Sequence, residues 1–167
     1  MGALERLAGL GLELPDVVPP LAAYQPAVRA GDLVWTSGQL PIRGGSVVTT
    51  GKVGDGVPDP TGPALVPPGE AAELARLCAL NALAAVASQL GDGESLDDVR
   101  VVKVVGFVAS DPAFTGQPAV VNGASALLGE VFGEAGTHAR SAVGVAVLPL
   151  DAPVEVELQA LVVPRAR

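Results

Sequence analysis

The sequence predicts an α+β domain in which helices cover one face of a mixed sheet. Three observations carry that expectation. Beyond Pro153 the chain alternates strictly, with Val154, Val156, Leu158, Ala160 and Val162 on one face and Glu155, Glu157 and Gln159 on the other. This is the period-two signature of a half-buried strand. A long segment, Glu70 to Leu90, reads as a helix whose only strongly polar side chain between Leu77 and Ala87 is Asn81. Strand-like and helix-like segments follow one another as β-β-β-α-β-α-β-β, which suits helices layered on a sheet.

A short helix from about Ala3 to Leu10 comes first, bounded by Gly11 and the proline-rich stretch that follows. Between Leu21 and Pro41 the sequence reads as two short strands joined at Ala30-Gly31-Asp32, where glycine and aspartate accept tight-turn geometry. Val47 to Val53 is expected to add a third strand, and Gly54 to Pro68, dense in proline and glycine, an irregular loop. Pro67-Pro68-Gly69 then starts the long helix; Glu70 and Glu73 suit its positive end, and Gly91 is placed to stop it. A helix so apolar around its circumference needs cover on more than one side, from the sheet or from another subunit. Val99 to Val108 reads as a central strand. The next helix, about Pro118 to Glu134, carries Val120/Val121, Ala124, Leu127/Leu128 and Val131/Phe132 as one stripe.

Bulk properties narrow the function classes. The 167 residues suit one domain, 1–167, with 1–20 as an N-terminal extension. Apolar residues make up 49% and charged ones 17%, which is far from disordered composition, and no apolar run approaches a membrane span. Glu5, Arg6, Glu13 and Asp16 interrupt the first residues, unlike a secretory signal, so the expected location is cytoplasmic. The single cysteine, Cys78, excludes an intrachain disulfide and reads as a small buried thiol. No metal-ligand constellation is visible. A net charge of −8, without a Lys/Arg cluster, disfavours nucleic acid as partner.

The candidate chemistry lies near the end of the chain. Arg140 opens an apolar strand-like run, where it serves either as the grip for an anion, its planar fork suiting a carboxylate, or as one half of a surface ion pair. Glu155, set among valines, is either a solvated strand carboxylate or an acid/base group with a raised pKa. If the two strands form a hairpin around Pro149 to Pro153, Arg140 lies roughly 23 Å from Glu155 at about 3.3 Å per residue. One subunit could not then bring both to one small ligand: either they belong to different sites or a neighbouring subunit completes the site, and the over-apolar helix and polar-faced strand favour the second. His138, the only histidine, is either a catalytic group or, the favoured reading, a loop residue with a structural or incidental hydrogen bond. Ser37 has no partner placed by sequence to activate it and is expected to contact ligand.

Two blocks resemble the reactive intermediate deaminase family, known as RidA or YjgF, in its longer form. One runs from Tyr24 to Pro41 and ends in Val34-Trp-Thr-Ser-Gly-Gln-Leu-Pro41. The other joins Asn122-Gly-Ala-Ser125, Gly133-Glu-Ala-Gly136, Ala139-Arg-Ser141, Leu148-Pro149 and Val154-Glu155. The resemblance implies a chorismate-mutase-like α+β subunit, a homotrimer with clefts between subunits, and hydrolysis of reactive enamines and imines to 2-keto acids and ammonia without a cofactor. It implies further that Arg140 grips the substrate carboxylate and Glu155 activates water or shuttles its proton. Tyr24, Ser37, Gly38 and Asn122 would line the cleft, with the Ala142 backbone helping to hold substrate or water. Two other functions fit the same residues: an endoribonuclease, a label the family often carries, and a trimer that binds small carboxylates or a protein partner without turnover.

Overall fold

A computed structural model describes residues 1–18, 23–56 and 65–163. The elements are α1 (Ala3–Gly9), β1 (Ala27–Ala30), β2 (Leu33–Thr36), β3 (Ile42–Arg43), β4 (Ser46–Val47), α2 (Pro68–Ala87), β5 (Val99–Ala109), α3 (Gln117–Phe132), β6 (Ala139–Val145) and β7 (Val154–Val162). Short 3₁₀ turns precede β5, follow α3 and link β6 to β7. No helix among these residues is long and apolar enough to cross a membrane.

Five strands form one sheet in the order β1-β2-β7-β5-β6, antiparallel except that β5 and β6 run parallel. The β1–β2 turn falls at Gly31 and Asp32, with Gly31 at φ +61°. On β7, Val154, Val156, Leu158, Ala160 and Val162 are buried and the residues between them half-buried, as the alternation predicts. The expected third strand, Val47 to Val53, does not form in this sheet. Gly44 and Gly45 take positive φ, so Ile42–Arg43 folds back on Ser46–Val47 as a separate two-stranded ribbon. Gly51, at φ +116°, breaks the run again. Val53 makes only isolated bridges, its amide donating to Ala109 O at 2.7 Å. Most of the predicted Gly54–Pro68 loop lies outside the described residues.

The helices pack on the face of β7 that carries the valines. α2 is buried around most of its circumference, from Ala71 through Val86, because the sheet packs against it on one side and α3, which lies on the same face of the sheet, on another. Its cover therefore comes from within the subunit. It ends at Ala87, with the Ser88 hydroxyl donating to Ala85 O at 2.7 Å, before reaching Gly91. Asn81, its one buried amide, donates to Leu40 O and Ile42 O at 2.9 and 3.0 Å and so ties the ribbon to the helix. Gly123 lets α3 meet α2 backbone to backbone, since a Cβ there would fall 1.8 Å from Ala72 O. Ala3 and Leu7 of α1 join the same core.

Candidate active site

Two polar groups face each other across the sheet, not across a cleft. Arg140 pairs with Val104 and Glu155 with Phe107, so β5 separates their strands. Neighbouring residues in register share a face. Val104 is buried under the helices whereas Phe107 is on the other face, half-buried, so Arg140 points towards α3 and Glu155 away from it. Two strand spacings of about 4.8 Å and three residues of about 3.3 Å put their backbones roughly 14 Å apart. That is less than the hairpin geometry predicts, because β6 and β7 are not neighbours. Their opposite faces keep them from one small ligand within a subunit.

The Arg140 side is built by α3. Pro118, Asn122 and Ser125 are spaced to lie along one helical face. Arg140 Nη1 donates to Asn122 Oδ1 at 2.8 Å and to Ser125 Oγ at 3.1 Å, and Nη2 donates to Pro118 O at 3.2 Å. Both hydrogens of Nη1 are thereby used. Among the described residues, nothing accepts from Nε–H or from the second hydrogen of Nη2. These donors lie on nitrogens joined through one carbon, a spacing that matches the two oxygens of a carboxylate. Arg140 is thus fixed without an acidic partner, and the surface-ion-pair reading fails among the described residues.

The Glu155 side is built by a bulge. β2 pairs with β7 regularly through Trp35 and Gln159, but beyond Thr36 the next bridge is Gln39 with Val156, a slip of one residue. The Thr36 hydroxyl fills the gap by accepting from Leu158 N at 2.9 Å. The extra residue pushes Ser37 and Gly38 out, as bulges do where a strand must be re-aimed. Gly38 meets Glu155 so closely that a Cβ would sit 1.5 Å from Oε1. Burial, with the charge of Glu157 adding to it, raises the Glu155 pKa above the ordinary carboxylate value; burial also raises that of Glu157. Ser37 Oγ donates to Gln25 O at 2.6 Å, and Tyr24 stands exposed just before it in sequence.

Of the predicted site residues, the structure groups Arg140 with Asn122 and groups Glu155 with Gly38 and its neighbour Ser37. Ala142 lies on β6 beside Gly106, partly buried against the core and on the face of Arg140. Sequence reading missed Ser125 as a partner of Arg140, although the three-residue spacing from Asn122 signals a shared helical face. His138 does make the structural hydrogen bond expected of it, from Nδ1 to Gly136 O at 2.6 Å, but its Nε2 also meets Ser125 Oγ at 2.9 Å. Cys78 is buried with Sγ 3.6 Å from Val154 O, and burial, then the Glu155 charge, pushes its thiol well up. A cavity of about 950 Å³ between residues 11–18, the β3–β4 ribbon and α2 contains none of the predicted site residues.

A mixed sheet covered by helices on one face, with a braced arginine on its edge strand and a half-buried glutamate on its open face, is the frame into which the comparisons fall. The family described as "YjgF/chorismate mutase-like, putative endoribonuclease" matches residues 4–162, and the chain belongs to it. It is similar to Protein TCP17 of Trypanosoma cruzi, at 44% identity over 154 residues, covering 91% of this chain and 89% of that protein. Among solved structures it is similar to Atu1372 of Agrobacterium tumefaciens, a protein of unknown function, at 41% identity and TM-score 0.81, covering 96% of this chain and 92% of that one. TdcF of Escherichia coli, solved with bound serine, is 25% identical with TM-score 0.58, covering 90% of this chain and 94% of that one.

Proposed function

We propose that this protein hydrolyses small 2-imino acids, and the enamines in equilibrium with them, to 2-keto acids and ammonia in clefts between the subunits of a homotrimer. The observation that carries the proposal is the Arg140 guanidinium, held on three oxygens of α3 with Nε–H and one Nη2–H left over. An arginine braced by neutral partners keeps its full charge for an incoming carboxylate. The similarity to TdcF, whose structure holds serine, supports a small carboxylate-bearing ligand.

The reaction asks little of the protein. The C=N carbon is already electrophilic, so water adds to it with one proton moving to nitrogen. The resulting carbinolamine expels ammonia as the hydroxyl oxygen forms the C=O bond and loses its proton. Glu155 suits the proton transfers, since its raised pKa brings the protonated and ionised forms closer in population near neutrality. Because Glu155 and Arg140 lie on opposite faces of one sheet, the Glu155 of one subunit works with the Arg140 of the next, and Tyr24, Ser37 and Gly38 line the cleft from the glutamate side. The reading needs no cofactor.

The test is keto-acid release from freshly generated amino-acid imines, comparing the parent protein with Arg140→Ala. Release above the spontaneous rate, lost in the variant, is expected; equal rates would remove Arg140 from the reaction. RNA cleavage that depends on Arg140 while imines decay at the spontaneous rate would instead favour the endoribonuclease in the family description. Carboxylate binding with no turnover of either substrate would favour a binding protein.

A further inference from the structure

His138 stands two residues ahead of Arg140, and the contacts around it form a chain with one direction. Gly136 O can only accept, so His138 Nδ1, at 2.6 Å, must carry a hydrogen. In the neutral ring Nε2 is then an acceptor. The group facing it at 2.9 Å is the Ser125 hydroxyl. Arg140 Nη1 has only hydrogens to give, so Ser125 Oγ accepts from it at 3.1 Å and turns its own hydrogen to Nε2. The chain therefore runs from Arg140 through Ser125 and His138 to the Gly136 carbonyl. A hydroxyl that donates to an imidazole becomes a better acceptor, which strengthens its hold on the guanidinium.

Both ends of the chain rest on α3. Asn122 and Ser125 belong to that helix, and Gly136 lies against its last turns, where a Cβ would come 2.3 Å from Leu128 O. The histidine thus bridges Ser125 on α3 and Gly136 in the turn that follows it, and aims the serine hydroxyl. Mid-helix serines often bond back to their own helix. Here the hydroxyl is committed outward.

We infer that His138, acting through Ser125, is a positioning residue that fixes the plane of the Arg140 guanidinium and thereby sets the affinity of this protein for carboxylate-bearing ligands. The inference rests on the proposed deaminase reading only for the identity of the ligand. The hydrogen-bond direction stands without it.

The experiment has two parts. Long-range ¹H–¹⁵N spectra of the imidazole read the tautomer directly: Nδ1–H is expected, and an Nε2–H ring would overturn the inference. The Arg140 Nε–H resonance and the kinetics are then compared across Ser125→Ala, His138→Ala and His138→Gln. In the first two, exchange should broaden the resonance, and KM for imino acids, or Kd for 2-oxobutanoate, should rise about tenfold, the scale of one charge-assisted hydrogen bond, with a smaller change in kcat. His138→Gln should restore most of the affinity, because its Oε1 can accept from the serine. Unchanged resonance and affinity in Ser125→Ala would overturn the inference even if His138→Ala fails to fold. A parent protein that binds 2-oxobutanoate but hydrolyses no imine would end the deaminase reading alone. A parent protein that binds neither 2-oxobutanoate nor imino acids would overturn the inference as well, since there would be no carboxylate affinity for His138 to set.

Discussion

Arg140 and Glu155 occupy opposite faces of one sheet, and their surroundings treat charge in opposite ways. Around Arg140 the protein supplies neutral oxygens, from Asn122, Ser125 and Pro118, that leave the cation intact and hold it still. Around Glu155 it supplies valines, a glycine and a second carboxylate, which make ionisation harder. A fixed charge binds; a group reluctant to ionise trades protons. The contrast is what a hydrolase for a small anionic substrate requires, provided the two faces meet between subunits.

The largest expected effect comes from the arginine side. Arg140→Ala should lower kcat/KM for imino acids by about 10³-fold, the upper range for truncating one partner of a hydrogen-bonded charge pair, and Arg140→Lys should recover little, because an ammonium cannot engage Asn122, Ser125 and a carboxylate as a planar fork does. Steady-state assays decide both. A lysine variant with parental activity would show that charge alone suffices.

Next comes Gly38→Ala, which attacks the other region by shape. Its methyl would displace the Glu155 carboxyl, and a misplacement of about 1 Å can cost about 100-fold in rate. The loss should appear in kcat, with the affinity for 2-oxobutanoate retained. Equal loss of affinity would mean that the two regions are not separable.

Much of the frame was legible in the chain itself. The alternation from Val154 to Val162 placed Glu155 on the less buried face, and the apolar run from Leu77 to Ala87 marked the central helix. The order of strands was not legible. Consecutive strands commonly pair, yet β6 and β7 are parted by β5, which pairs with both. The Ser37–Gly38 bulge was hidden as well: the Thr36 hydroxyl accepts there from Leu158 N, a side-chain contact that no pattern of hydrophobicity records. Ser125 and His138 were visible as residues, but their chain to Arg140 depends on the fold of residues 133–136 beneath α3.

A third variant separates stability from chemistry. Gly123→Ala forces a methyl against Ala72 O and should destabilise the fold by about 1–3 kcal/mol, the usual cost of overpacking, read as a lower Tm. The smallest effect is pH-dependent. An unfolded Glu155 titrates near its ordinary value of about 4.3, and the folded one above it. Folding therefore takes up a proton between those values, so stability falls as pH rises through that interval and stays lower beyond it. Glu155→Gln should raise Tm near neutrality and leave it unchanged near pH 3, even though turnover falls; a Tm gain that is the same at both pH values would remove burial of the charge as the cause.

Gly123 stands between Asn122 and Ser125, at the point where two helices touch with no side chain between them. The arginine's brace is consequently mounted on a backbone-to-backbone joint between α2 and α3. Substitutions deep in that joint, remote from any ligand, should weaken binding and thermal resistance in proportion, whereas changes around the glutamate should shift one without the other.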